Sequence, residues 1–386
     1  MSTVHPRQRC YLDHAAATPI LPEVAEAMQE AAAVYGNPSS PHAAGREARH
    51  LLEETRERII AALGGSCSGP RRDQLLLTSG ATEANQMAIA GLTAGGDTHA
   101  PLLYSARDHA GTSAAARQLA AAGRRVIQLP LDANSLLDPT PLSDAAEGVL
   151  STTLACSQTG TLDDVAALAA AFPQLLIHVD AVQAVGRVPV RPAAMAASSL
   201  ALAAHKLGGP RGIGGLFLRG ATRIAPLLPG SQERGLRGGT EPVALAVGFA
   251  VAVEHAVKRQ AEEAQRLAGL RDRCERALVE AARSAGVEAV VIGEGAARLP
   301  HISVVALPGR NRQATVMAAD LAGICLASGT ACSSGSSEPS PALVAAGLPS
   351  SLIDSAIRLS LGWSTTAEDI SRATQAFQTH LFCRRA

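Results

Sequence analysis

Short apolar runs alternate with longer segments of helical spacing along the whole chain, and no other feature narrows the possible folds as much. "QLLLTS" (74–79) leads into "GATEANQMAIAGL", "PLLYSA" (101–106) into "GTSAAARQLAAAG", and "GVLSTTLA" (148–155) into "TGTLDDVAALAAAF". "RRVIQLPL", "QLLIHVDA" (174–181), "SSLALAAHK" and "GIGGLFLRG" add further strand-like runs. This alternation predicts an α/β fold with a mostly parallel central sheet and helices on both faces. Residues 243 to about 284 read as one long or broken helix that grows more charged along its length, a connector between domains. After it, "EAVVIG", "HISVVAL" and "AIRLSLG" alternate with helical stretches, which predicts a smaller α/β domain from about residue 262.

The chain's 386 residues are enough for two domains with a well-buried core. Its 47% apolar and 18% charged content is that of a soluble globular protein. Formal net charge is zero, so there is no electrostatic footprint for nucleic acid or an anionic membrane. The opening "MSTVHPRQRCYLDHAAATP" has no apolar core of a signal peptide. The longest apolar run, "VALAVGFAVAV" (243–253), stops at Glu254 and is too short to span a bilayer, so a cytoplasmic location is expected.

Seven cysteines are scattered along the chain with no CxxC pair. Neither a disulfide framework nor a structural zinc or other metal site is expected from that spacing. One of them, Cys332, lies in "SGTACSSGSSEPS", a polar run without apolar period that reads as a surface loop. A thiol there gains no packing; half a disulfide, a metal ligand and a nucleophile are the competing explanations, with a free thiol as the working one. The basic residues are equally uneven. Of 34 Lys and Arg, only Lys206 and Lys258 are lysines. Lys258 sits in a helical stretch and reads as a solvated face, whereas Lys206, in "AHKLGGPRGIGG", is placed for chemistry that Arg cannot perform, such as forming an imine.

In parallel sheets ligands collect beyond the carboxyl ends of the strands. After "QLLLTS" come Gly80, Ala81 and Thr82, opening a helix whose N-terminus is an anion cup or simply a cap of small residues. Asp180 ends "QLLIHVD", with Gln183 three residues on; it either caps the next turn or holds a proton on a heterocyclic nitrogen. His205 and Lys206 follow "SSLALAA", and Arg107, Asp108 and His109 follow "PLLYSA". Phosphate cup, acid and imine-forming lysine are together what pyridoxal 5'-phosphate (PLP) requires, and an imidazole at His109 can stack on its ring. Arg358, amid the apolar residues of "AIRLSL", should reach a carboxylate, either structural or on a substrate.

With these residues in place, the chain resembles the NifS-like cysteine desulfurases of the aminotransferase class V group. The resemblance runs from "YLDHAAATP" to "IRLSLGWSTTAEDI" through "YGNPSSPHAAGREA", "LLLTSGATEAN", "HVDAVQAVG", "HKLGGPRGIGGLFLR", "ERGLRGGTEP" and "ASGTACSSGSSEPSPAL". It implies the type I fold of PLP-dependent transferases. A large PLP-binding domain would span residues 15–261, and residues 1–14 with 262–386 would form a small domain carrying the cysteine loop. By the same resemblance Lys206 holds PLP covalently, Asp180 pairs with the ring nitrogen, Gln183 meets the ring hydroxyl and His109 stacks on the ring. Ala81, Thr82 and His205 bind the phosphate, and Thr240 reaches the phosphate of a neighbouring subunit, which implies a homodimer. Arg358 clamps the carboxylate of L-cysteine, with Asn37 nearby. Cys332 becomes a persulfide as L-cysteine is converted to L-alanine. Its spacing to "SEPS" and Arg358 is similar to that of the long-loop group, which delivers sulfur to an acceptor protein.

The chain departs from the family pattern at three points. "CSQTG" (156–160) stands where "NNE[IT]G" is usual, so Ser157 takes the place of an Asn that touches cofactor and substrate. Ala203 and Ala204 precede His205-Lys206 where Ser-Gly is usual, removing a phosphate hydroxyl whose hydrogen bond is worth about 1.5–3 kcal/mol. The chain ends at "HLFCRRA", without the longer tail through which housekeeping members dock an iron–sulfur scaffold. These departures leave two alternatives: a selenocysteine lyase or other class V enzyme with a different amino-acid substrate, and a non-catalytic binding protein built on the same fold.

Overall fold

A computed structural model describes residues 9–94, 100–144, 147–329 and 338–382. Its strands are β1 (Cys10–Tyr11), β2 (Gln74–Thr78), β3 (Leu102–Ser105), β4 (Val126–Leu129), β5 (Gly148–Thr153) and β6 (Leu175–Asp180). They continue as β7 (Ser199–Ala203), β8 (Gly214–Leu218), β9 (Val290–Val291), β10 (Ile302–Ala306), β11 (Ile324–Cys325) and β12 (Ala356–Ser360). Seven of them form the central sheet in the order β2-β8-β7-β6-β5-β3-β4. All pairings from β7 to β4 are parallel, and β8 runs antiparallel to both its neighbours. The mostly parallel sheet read from the sequence is therefore present, with β8 as its reversed strand.

Strand residues divide between the two faces with a period of two, as the pleat requires. Leu75 and Leu77, Leu200 and Leu202, and Phe217 join one core. Leu76, Ala201, Leu216 and Leu218 point the other way into a second one. The first core is closed by helices Ala43–Ala62 and Val243–Lys258, and the second by Ala81–Ala94 and Ala110–Ala121. Because both faces are covered, β7 and β8 are buried at every residue, which is why they read as unbroken apolar runs.

The expected long helix is two helices, Val243–Lys258 and Gln260–Ser284, parted at Arg259 (φ −97°, ψ 4°). The break lets one stretch of chain serve two cores. Phe249 and Val253 pack on the large sheet, whereas Leu267, Leu270, Cys274 and Leu278 pack on a separate cluster with Leu359 and Phe377. That cluster lies against an antiparallel sheet ordered β12-β10-β9 and the two-stranded parallel pair of β1 and β11. Through β1 the N-terminal segment is stitched to the far end of the sequence, and Asp13 bridges to Ser360 just beyond. No helix among the described residues is long and apolar enough to cross a membrane.

A buried charge cluster guards the β2 edge. Arg56 reaches Glu233 at 2.6 Å and Glu241 at 3.9 Å, and Glu53 on its own helix. Glu233 in turn accepts from Leu77 N at 3.0 Å, occupying an otherwise open edge amide. Glu233 and its neighbour Arg234 adopt positive φ (44° and 58°), a conformation costly for residues with side chains and held here by the ion pair. Arg56→Leu leaves two enclosed carboxylates without their cation. It is expected to cost about 3–5 kcal/mol, measured as a lower thermal midpoint and partly recovered in the Arg56→Leu/Glu233→Gln double variant.

Candidate active site

Parallel strands deliver their carboxyl ends to one edge, and there a cleft of about 1370 Å³ opens. The segments following β2, β3, β5, β6 and β7 all contribute to its lining. The reversed β8 adds Arg211 and Gly212 from the turn before it. Of the residues singled out in the sequence, Ala81, Thr82, His109, Ser157, Asp180, Gln183, His205, Lys206 and Arg358 line the cleft. Asn37 does not; it is exposed, and its side-chain oxygen accepts from Ser39 N at 2.9 Å. Thr240 is exposed and also outside the cleft. Cys332 lies outside the described residues, but Gly329 and Glu338, on either side of its segment, both line the cleft.

Lys206 ends a short 3₁₀ turn, Ala204–Lys206, immediately after β7. Its Nζ donates to the carbonyls of Ala15 and Ala16, each at 2.7 Å. Gln183 Nε2 also donates to Ala15 O, at 3.0 Å. Thr18 N donates to His205 O at 2.9 Å. The segment after Asp13 is thus the seat of the lysine, a role that its own small apolar residues do not announce. Beside it, burial pushes the His205 imidazole down to about 4, helped by the charges of Lys206 and Arg211.

Asp180, the last residue of β6, is 9% exposed. It accepts from Asn85 Nδ2 at 2.8 Å and from Val182 N at 3.0 Å. His109 caps the helix Ala110–Ala121, its Nδ1 accepting from Gly111 N at 3.1 Å; the ring can then carry its proton only on Nε2 while neutral. Arg358 crosses in from β12 and is 1% exposed. It donates through Nη1 to Ser157 O (2.9 Å) and through Nη2 to Asp13 Oδ1 (2.8 Å). Its Nε has no partner among the described residues. Gln158 ties the same turn to the helix Pro341–Ala345, accepting from the Ser340 hydroxyl and from Ala342 N (3.3 Å).

The arrangement fits PLP. An added Cβ on Gly80 would meet nothing within 4 Å, so the backbone at the start of helix Ala81–Ala94 faces open space where its unpaired amides can take a phosphate. A Cβ on Gly214 would lie 2.8 Å from Gly80 Cα and 2.5 Å from Leu202 O, so only glycine allows β8 to approach this turn. Amine, carboxylate and imidazole converge on the same cleft, the donor set for a phosphorylated pyridine aldehyde. Ala203, where the resemblance leads one to expect Ser, lines the cleft as well.

A model of the aminotransferase class-V family matches residues 10–373, and the chain belongs to that family of PLP-dependent enzymes. It is 35% identical over 373 residues to a protein named cysteine desulfurase IscS from Dictyoglomus turgidum, covering 95% of this chain and 92% of that one. It is 33% identical over 370 residues to the cysteine desulfurase NifS of Azotobacter vinelandii, covering 94% and 90% of the two chains. The structure of a NifS-like protein from Rickettsia africae superposes with a TM-score of 0.84 at 27% identity, covering 96% of this chain and 98% of that one. The type I transferase fold expected from the sequence is thus the fold of this chain.

Asn85 escaped the sequence reading, and Asp108 is named there beside His109 without a role. Asn85 sits one helical turn beyond the anion cup, with no local signal that its amide meets a strand end. Asp108 is enclosed beside His109, accepting from the Thr153 hydroxyl at 2.9 Å and the Ser151 hydroxyl at 3.2 Å. Burial pushes its carboxyl up to about 7, with the nearby charge of Asp180 acting in the same direction against the two hydroxyls. This folded value stands above the ordinary 3.8, so the folded chain holds a proton that the unfolded chain releases. The resulting stabilisation is complete below pH 3.8 and lost as pH rises through about 7. Asp108→Asn is permanently neutral, so its thermal midpoint should climb relative to the parent between about pH 4 and about pH 8; a constant difference would show that Asp108 does not titrate in this window.

Proposed function

We propose that this protein is a PLP-dependent cysteine desulfurase that moves the sulfur of L-cysteine onto Cys332 and releases L-alanine. The carrying observation is the convergence of Lys206, Asp180, His109 and Arg358 on one cleft whose wall includes both flanks of the Cys332 segment. The names of the similar proteins point the same way.

PLP, when bound, supplies a conjugated electron sink for charge developing at the substrate Cα. Lys206 anchors it covalently and, once released, removes and returns the Cα proton from its seat against Ala15 and Ala16. Asp180 holds the proton on the ring nitrogen. Ala81 and Thr82 take the phosphate at the helix N-terminus together with His205. Gln183 would meet the ring hydroxyl, and Ser157 would serve cofactor and substrate from the cleft wall. Arg358 receives the substrate carboxylate, its guanidinium held between Ser157 and Asp13. His109 Nε2 handles the thiol protons.

The Cys332 thiolate attacks the substrate sulfur. An S–S bond forms as the C–S bond breaks, the electron pair goes to the substrate Cβ, and a proton from the two thiols completes the methyl group of alanine. Cysteine and one protein thiol become alanine and one protein persulfide, with no outside oxidant.

In this reading the working unit is a homodimer with large domains (15–261) and small domains (1–14 with 262–386), in which Thr240, exposed and outside its own cleft, serves the phosphate of the second copy. An acceptor protein then takes the sulfur from Cys332, in the cytoplasm. With L-cysteine as substrate, alanine should form together with alkylatable persulfide on Cys332. Cys332→Ser should lower alanine formation at least about 100-fold while leaving PLP bound, and Lys206→Ala should abolish the covalent PLP absorption band; undiminished turnover in Cys332→Ser would exclude the assigned role.

A further inference from the structure

Three buried polar side chains lead from Asp180 into the sheet. His178 shares a face of β6 with Asp180, Ser199 is its register partner on β7, and Asn85 packs down on both from the helix Ala81–Ala94. Asn85 Nδ2 lies 2.8 Å from Asp180 Oδ2, His178 Nε2 lies 2.9 Å from Asn85 Oδ1, and Ser199 Oγ lies 2.8 Å from His178 Nδ1. Asn85 is 1% exposed and His178 and Ser199 are both 0%, so bulk water competes for none of these bonds.

Chemistry fixes the direction of each bond. An ionised Asp180 only accepts, so Asn85 must turn its NH₂ toward it and its carbonyl toward His178. That carbonyl needs a donor, so His178 carries its proton on Nε2. Burial pushes the His178 imidazole down to about 3, leaving it neutral with a single proton. Nδ1 then accepts from the Ser199 hydroxyl. Reversing any member would set two lone pairs or two protons face to face in an enclosed space. Every donor in the row therefore points toward Asp180, and such a row polarises cooperatively toward its charged end.

We infer that Asn85 and His178 are positioning residues for Asp180: with Ser199 behind them, they fix the plane of its carboxylate and aim it toward the ring nitrogen of PLP. Val182 N, at 3.0 Å from Oδ1, fixes the other oxygen. The inference rests on the reading that Asp180 meets the ring.

The test is titration of the full-length apo-protein with PLP, reading both the dissociation constant and the absorption band of the bound cofactor. Asn85→Leu and His178→Leu are expected to weaken PLP at least about tenfold and to shift the band as Asp180→Ala does. His178→Gln, whose amide can donate where Nε2–H does, should stay within about threefold of the parent. In the Asp180→Ala background, Asn85→Leu should cost nothing further. If the two losses multiply, or if His178→Gln is as impaired as His178→Leu, the row only packs the sheet and the inference fails. Parent-like PLP binding by Asp180→Ala would instead overturn the reading of Asp180 itself. Should Asn85→Leu fail to fold, Asn85→Ser removes the reach of the amide without adding apolar bulk and gives the same readouts.

Discussion

A parallel strand can point its carboxyl end only one way, and the cleft depends on that constraint. Since β2, β3, β5, β6 and β7 run alike, the residues that follow them meet at one edge although they are scattered from Ser79 to Lys206. The carboxyl ends also face the N-terminus of the helix Ala81–Ala94, so electrostatics of the backbone favour an anion there before any side chain contributes. Running β8 the opposite way inserts its preceding Arg211–Gly212 turn into the same edge.

The two ends of the sequence close what the sheet leaves open. Ala15 and Ala16 seat the lysine with their carbonyls, and Asp13 holds the Arg358 guanidinium at 2.8 Å. An arginine this buried needs a counter-charge, and a carboxylate at that distance offsets much of its desolvation cost. The result is a cation already oriented at the cleft, with its Nε still unpartnered among the described residues. Pairing β1 with β11 brings Asp13 there, so the N-terminal strand is part of the site's construction.

Burial sorts the ionisable groups around the cofactor position. His178 and His205 are pushed down and stay neutral, whereas Asp108 is pushed up and keeps its proton to about pH 7. Asp180 accepts on both oxygens, from the Asn85 amide and from Val182 N. Asp108 is kept neutral by its burial, even though the Thr153 and Ser151 hydroxyls both donate to it and pull the other way.

Most of the strands and nearly every chemical group in the cleft were legible in the sequence. A buried parallel strand must be an apolar run, and a strand end must change composition where it meets a ligand. Lys206 stood out because arginine cannot form an imine, and Asp180 because an acid rarely ends a buried strand without reason. Asn37 and Thr240 came from the resemblance, and within one subunit neither lies at the cleft. The chain by itself determined the order of elements and most of the polar side chains that line the cleft, since both follow from local period and local chemistry. Only the tertiary structure decided the carbonyl seat of Lys206, the Asp13–Arg358 pair, the break at Arg259 and the direction of the row behind Asp180. Each of these is a bond or a packing choice between segments far apart in sequence, and local composition carries no record of which distant partner a polar group will meet.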